Sequence, residues 1–346
     1  MLYNINDTVI DWRELQKYWI DNNASHLSTG AFQKYFHPDE FFAVERPGYK
    51  LPLCHGIHKE NGYSSLLIQL NHVQCLGMNI YNDLRMNQPP SIPNHLYQAT
   101  NQFDIKVSIM YNKMAYNKLV RKVKSANKRL NKSLKAQQNY QSAKDYVKEK
   151  KYVFVSIDIE AYELDHSILL EIGWTLYDSR YDRLQDQHYM MDSYKHLTNG
   201  RYVENQKLQF QFGKSIWCSL NQAFQELYKD LTWATQRDGG FILVGHGLTS
   251  DLQYLQKQNF KWPCIQGKDI AGNVVLKEDG VLDVNDSSLV AIINTDEMFG
   301  CYINDLHNPP SLGRCLYHFD IDHSFLHNAG NDAHYTMELM LALTDA

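Results

Sequence analysis

From residue 151 to the end of the chain, short apolar runs alternate with amphipathic stretches. Residues 152–157 form an apolar run broken only by Ser156, which predicts a buried strand. Residues 167–177 predict a second strand, in which Gly173 allows another backbone to approach closely. Helical spacing of apolar residues predicts a helix over 219–233. Residues 241–245 read as another buried strand, 250–256 as a helix, 281–284 as a strand and 332–343 as a closing helix. Strand, strand, helix, strand, helix, strand, helix is the pattern of an α/β domain, a mixed sheet flanked by helices.

Residues 1–93 read as a separate small α+β unit. Trp12, Leu15, Trp19 and Ile20 keep helical spacing behind Asp11, a favoured N-cap. Residues 41–45, 50–54 and 65–70 read as short strands, with turns at Pro47-Gly48 and Asn61-Gly62. Pro89, Pro90 and Pro93 end the unit, and nothing in it carries chemistry. It suits selection of a protein partner or capping of the domain that follows.

Residues 94–172 contain neither glycine nor proline, and 94–150 read as a basic helical connector. Within 113–151, Lys118, Arg121, Lys122, Lys124, Lys128, Arg129, Lys132 and Lys135 meet no acid before Asp145, while Met114, Leu119, Val123, Leu130 and Leu134 keep a helical rhythm. One long helix or two in series would carry a cationic outer face. That face is either a solvated linker or a phosphate-tracking surface on which Lys118, Arg121, Lys122 and Lys128 contact substrate.

Length and charge narrow the class. A chain of 346 residues suggests two domains. A formal charge of −5 and a pI near 6.3 exclude a histone-like basic binder but not nucleic-acid binding through one basic face. The six cysteines are scattered without a CxxC pair, which suits reduced thiols rather than a zinc site or a disulfide framework. No apolar run is long enough to cross a bilayer, so no membrane association is expected. Asp7, Asp11 and Glu14 against a lone Arg13 speak against a mitochondrial presequence, although mitochondria stay open beside cytoplasm and nucleus as an intracellular setting.

The chemistry lies at the ends of the predicted elements. Asp158 and Glu160 stand at alternate positions where the first strand ends, so both face the same side. Asp251 opens a helix after the strand at 241–245, and His327 precedes Asp332 at the start of the closing helix. Each pair alone is weak, because Asp is a common cap and turn residue. Together, four acids and one histidine supply the oxygen ligands for two hard divalent cations, Mg²⁺ or Mn²⁺, and a base for phosphodiester hydrolysis. Asp158 would bridge the two ions, with Glu160, Asp251 and Asp332 completing their shells. His327 would take the proton from the attacking water, since an imidazole titrates near neutrality. Asp283 reads as a strand-end turn residue, and His166, His323 and His334 as polar surface residues.

These segments resemble the DEDDh branch of the DnaQ-like 3′-to-5′ exonucleases, which share the ribonuclease H-like fold. Asp158-Ile159-Glu160 is similar to the first motif, Leu170-Glu171-Ile172-Gly173 to the following strand, Gly245-His246-Gly247 with Asp251 to the second motif, and His327 with Asp332-Ala333 to the third. The resemblance covers residues 151–346 and implies Asp158, Glu160, Asp251, His327 and Asp332 as the active residues. It also implies that Ala161, Tyr162, Leu164 and His246 border the substrate, with Leu164 as the apolar wedge beside the terminal base. The wording of the third motif is most similar to a fungal group named for supporting full activity of an mRNA-export DEAD-box helicase. That implies RNA rather than DNA, and a cytosolic or nuclear setting.

One departure stands after Glu160. Ala161-Tyr162-Glu163 replaces the small residues usual there. Tyr162 could stack on a base, whereas Glu163 would add negative charge near the phosphate path. The sequence thus implies a metal-dependent exonuclease acting on single-stranded nucleic acid. The competing class is an inactive RNA-binding or docking module built on the nuclease fold.

Overall fold

The computed structural model describes residues 7–22, 29–43, 50–265, 272, 274–277 and 282–346. The chain forms two compact units, Met1–Lys132 and Ser133–Ala346.

In the first unit, β1 (Thr8–Asp11) leads directly into α1 (Trp12–Asn22). The Asp11 carboxylate accepts the N–H groups of Arg13 and Glu14 at 2.8 and 3.2 Å, capping the helix as the sequence predicts. Then come α2 (Thr29–Phe36), α3 (Pro38–Phe41), β2 (Leu51–His58), β3 (Ser64–Gln69), α4 (Leu70–Asp83), β4 (Gln98–Ala99) and β5 (Phe103–Met110). The strands pair antiparallel in the order β4-β1-β3-β2-β5, over a core that includes Ile10, Trp12, Trp19, Leu53 and Ile68.

Two expectations change here. Phe41 closes α3 instead of opening a strand, because Pro38 takes the first helical position and His37 caps it. Residues 44 and 45, with the Pro47-Gly48 turn, lie outside the described residues. The connector expected over 94–150 is helical only from Lys113, where α5 (Lys113–Glu149) begins as one continuous helix. Before it, Ile105, Val107 and Ile109 alternate with polar residues, so the segment joins the sheet as β5. Val123 of α5 packs into the first unit's core and Ala143 into a core of the second.

The second unit runs β6 (Val153–Tyr162), β7 (Asp165–Asp178), β8 (Arg183–Met191), β9 (Ile216–Cys218), α6 (Leu220–Asp238), β10 (Phe241–Gly245) and α7 (Thr249–Lys257). A short pair, β11 (Val275–Leu276) and β12 (Leu282–Asp283), precedes β13 (Leu289–Asn294), α8 (Thr295–Tyr302), α9 (Leu312–His318) and α10 (Ala329–Asp345). The main sheet has the order β13-β10-β6-β7-β8-β9. β10 and β13 run parallel to β6, whereas β7 runs antiparallel to both its neighbours.

Residues of alternate parity on the central strands feed two cores. Val153, Val155, Ile157, Phe241 and Leu243 pack with α6 and α7, while Phe154, Ile242 and Val244 pack with α8, α9 and α10. This is the mixed α/β sheet flanked by helices that the resemblance implies. The strand expected over 281–284 contributes only the two-residue β12, with Val281 outside the described residues; the strand beside β10 is β13. Asp283 is ion-paired with Lys277 at 3.2 Å, a local role as expected.

Candidate active site

The site forms at the C-terminal end of β6, where that strand lies between antiparallel β7 and parallel β10, a usual position for ligand sites in open sheets. In the β6–β7 register Asp158 stands opposite Gly173 and Glu160 opposite Glu171. Both acids therefore share the face of Phe154 and Ser156, against which α10 packs.

Glycine at position 173 is what lets α10 come so close. A Cβ there would lie 2.3 Å from the carbonyl carbon and oxygen of Ala329 and 2.4 Å from the Gly330 nitrogen. The Ser156 hydroxyl, buried on β6, donates to the Ala333 carbonyl at 2.6 Å and fixes the depth of the helix. Asn328 caps α10 by accepting the Asn331 N–H at 3.1 Å, and Asp332 sits in the first turn. His327, just before the cap, has a left-handed backbone (φ 67°) that turns its N–H onto Asp332 Oδ2 at 2.9 Å. Its imidazole is left exposed.

Asp251 comes from α7 and is buried. Its Oδ1 accepts the N–H of Ile159, the residue between the first two acids, at 2.9 Å. Ligand atoms of Glu160, His327 and Asp332 all lie within 4.8 Å of one another. Burial, together with the charges of Asp332, Asp251 and Glu160, raises the Asp158 pKa well above the ordinary carboxylate range. Burial is also the main cause pushing Glu160 up to about 8 and Asp251 and Asp332 up to about 7. Asp158 Oδ2 and Asp332 Oδ1 are buried with no hydrogen-bond partner among the described residues. Unpaired carboxylate oxygens in so crowded an acidic site fit a hard divalent cation, which prefers oxygen donors.

The other expected contacts fall into distinct groups. Ala161, Tyr162 and Leu164 lie at the β6–β7 hairpin, with Leu164 56% exposed beside the acids' strand. His246, expected to border the substrate, has both ring nitrogens engaged internally, with Thr295 Oγ1 and the Pro310 carbonyl at 3.0 Å each. It therefore braces the loop after β10. Glu163 keeps its negative charge: its carboxylate accepts the N–H groups of Arg201, Tyr202 and Val203 at 2.8, 2.8 and 3.3 Å, which holds its pKa down and ties the charge to the backbone of that loop. Lys118, Arg121, Lys122 and Lys128 are exposed on α5 within the first unit, apart in sequence from the acids of the second.

Two buried residues, Glu171 opposite Glu160 and its partner His188, form a pair that the sequence did not reveal. Glu171 accepts from His188 Nε2 at 2.9 Å, and the other ring nitrogen of His188 meets Ser215 Oγ at 2.8 Å. His334 is not the surface residue expected. It stacks on Phe212 and pairs with Asp186 and Glu338 at 2.8 and 3.3 Å, contacts that outweigh burial and raise its pKa to about 9. Only the strand register pointed to Glu171, and only the partner residues identify His334's environment. His323 donates to or accepts from nothing beyond its own turn in the bonds described, facing the Ile321 carbonyl at 2.9 Å, and His166 is exposed as expected.

Residues 153–343 match the family model described as DNA polymerase III subunit epsilon-like, C-terminal domain, of the DEDDh type. The chain is 28% identical over 207 residues to the Good for full DBP5 activity protein 2 of Saccharomyces cerevisiae, covering 55% of this chain and 35% of that protein. It is 31% identical over 193 residues to an uncharacterized nucleolar protein of Schizosaccharomyces pombe, C2C4.08, covering 56% and 69% respectively. The chain spans less than half the length of the Saccharomyces relatives it matches. The X-ray structure of the RNase domain of the yeast Pop2 protein overlaps 61% of this chain and 82% of its own, at 11% identity and a TM-score of 0.33.

Proposed function

The chain belongs to the DEDDh family of DNA polymerase III subunit epsilon-like C-terminal domains, and from that premise we propose that it is a metal-dependent 3′-to-5′ exonuclease acting on single-stranded nucleic acid, RNA in preference to DNA. The observation that carries this reading is the convergence of four carboxylates, two of them with buried oxygens that no group among the described residues satisfies. Asp158, Glu160, Asp251 and Asp332 would hold the ions. Bound Mg²⁺ or Mn²⁺ would neutralise the phosphate and make a water acidic enough to attack it.

The chain's own residues do the rest. His327, exposed at the mouth and within ligand distance of Glu160 and Asp332, accepts the proton of the attacking water at a ring nitrogen. Asp332 Oδ2 fixes the His327 backbone, and Asp251 Oδ1 fixes the turn of β6 between Asp158 and Glu160. Leu164 and Tyr162 at the hairpin lie against the terminal nucleotide, and the cations of α5 draw the strand by its phosphates. The likeness to a protein named for full DBP5 activity supports a protein partner, and the nucleolar relative supports a nuclear setting.

The test uses 5′-labelled single-stranded RNA and DNA with Mn²⁺, Mg²⁺ or EDTA, beside the Asp158→Ala/Glu160→Ala protein. A metal-dependent ladder shortening from the 3′ end, absent in the variant, is the expected result. Intact strands with a clear mobility shift would replace the nuclease with a binding platform.

A further inference from the structure

The longest stretch of the second unit without a named helix or strand, between β8 and β9, is fixed to residues that flank the acids. At one end Asn199 donates to the Ala161 carbonyl at 3.0 Å and accepts the Glu163 N–H at 2.9 Å. The Glu163 carboxylate holds three successive N–H groups, those of Arg201, Tyr202 and Val203, in a small anion-binding nest. Further along, Asn328 donates to the Gln206 and Lys207 carbonyls at 3.1 and 3.2 Å. Asn331 receives the Gln211 N–H and donates to the Gln209 carbonyl, both at 3.0 Å. Asn328 and Asn331 are the neighbours of His327 and Asp332 in the chain. The loop is thus tied to both ends of the acidic cluster.

A backbone held this firmly nevertheless presents two large side chains, Arg201 and Tyr202, outward. Tyr202 is 70% exposed, and the Arg201 guanidinium lies 5.1 Å from the centre of its ring. Both stand on the nest of Glu163, three residues beyond Glu160 and next to exposed Leu164. Three residues of chain span at most about 10 Å, within reach of a nucleotide whose scissile phosphate lies at the acids. An aromatic face, a guanidinium and an aliphatic wedge match the parts of a nucleotide: a base that stacks on any π-face, and a phosphate that pairs with arginine. Because the backbone is already fixed, little order remains to be imposed when substrate arrives.

Resting on the nuclease reading, we propose that residues 199–203, latched by Glu163, form a preformed wall that recognises the 3′ end of a single strand, with Tyr202 stacking on a base and Arg201 on a phosphate. This wall sets affinity for the strand and takes no part in proton transfer or ion binding. The specificity it confers is for single strands, whose bases are free to unstack and lie against Tyr202, whereas bases inside a duplex are stacked on both faces.

The test measures binding and turnover separately in the full chain. Anisotropy of a 5′-labelled ten-nucleotide RNA with a 3′-hydroxyl is read with Ca²⁺ to suppress cleavage, and kcat and KM with Mn²⁺. Tyr202→Ala is expected to raise Kd and KM on the order of tenfold (about 1.4 kcal/mol) with kcat little changed, and Tyr202→Phe to restore both. Arg201→Gln should lower the salt slope of binding by about 0.7, the single-strand value for one phosphate contact. Unchanged Kd and KM in Tyr202→Ala on a substrate that the parent degrades would overturn the wall and leave the nuclease standing. Binding without cleavage by the parent, weakened in Tyr202→Ala, would support the wall and sink the nuclease. A parent that neither binds nor cleaves single strands would overturn both.

Discussion

Asp251 Oδ1 accepts the backbone N–H of Ile159 at 2.9 Å, so the acid supplied by α7 is locked to the peptide between the two acids supplied by β6. Two of the three segments that carry the site are thereby set in register by one hydrogen bond inside the site itself. Asp251→Asn keeps an acceptor for that N–H and removes only the charge. The variant is expected to stay folded and to lose activity on the order of a hundredfold or more, as the loss of an ion ligand requires. Circular dichroism beside the labelled-strand assay separates the two; full activity in Asp251→Asn would remove Asp251 from the site.

The raised carboxyl pKa values carry a pH signature. Glu160 titrates at about 8 and Asp251 and Asp332 at about 7 in the folded chain, above the ordinary values of 4.5 and 3.8. The folded state therefore binds more protons than the unfolded one across that interval. The contribution of these groups to stability is complete below their ordinary values and is lost as pH rises through 7 to 8. In EDTA the melting temperature should be lower at about pH 8.5 than at about pH 6, and Mn²⁺ should restore more at the higher pH. His334, protonated up to about 9, loses its contribution in the same direction but without responding to Mn²⁺. An Mn²⁺ gain equal at both pH values would contradict an ion-binding acidic cluster.

At Gly173 even one methyl group has nowhere to go. With backbone atoms of Ala329 and Gly330 at 2.3 to 2.4 Å from the added Cβ, Gly173→Ala must push α10 off β7 and carry Asp332 and His327 with it. A stability loss of at least about 1–3 kcal/mol, the usual cost of overpacking, is expected in urea unfolding, together with loss of cleavage. Wild-type stability in this variant would mean that α10 is seated less tightly than its contacts indicate.

His327 needs a replacement suited to its left-handed backbone. Asparagine tolerates φ near 67° and lacks a basic nitrogen, so His327→Asn isolates the base from the fold. Turnover should fall by about 10² to 10⁴, the range for losing a general base, while Mn²⁺ binding by calorimetry changes little because four carboxylates remain. Loss of Mn²⁺ binding would make His327 a ligand instead of the base.

Along α5, Lys118, Arg121, Lys122 and Lys128 are all exposed and, among the described residues, form no ion pair. Replacing the four with Gln should weaken binding of every single-stranded sequence alike and lower the salt slope by about 0.7 per lost phosphate contact. An unaltered slope would leave α5 as a structural helix.

Much of the second unit was legible because local rules suffice there. The apolar run ending in Asp158 and Glu160 reads as a buried strand with both acids on one face, and the apolar periodicity after Asp332 as a buried helix, and both form. Gly173 signalled a close backbone approach before the approaching helix was known. β5 was hidden for the opposite reason: its alternation stands in a glycine- and proline-free stretch that also reads as helix, and pairing with β2 decided between the two. Tertiary structure alone settled what the polar residues do. His246 and His334 turned inward, and Glu163 became a latch, because each has a partner 38 to 148 residues away in the chain. Sequence fixes periodicity and therefore which face a side chain takes; which charges meet on that face depends on where the chain returns.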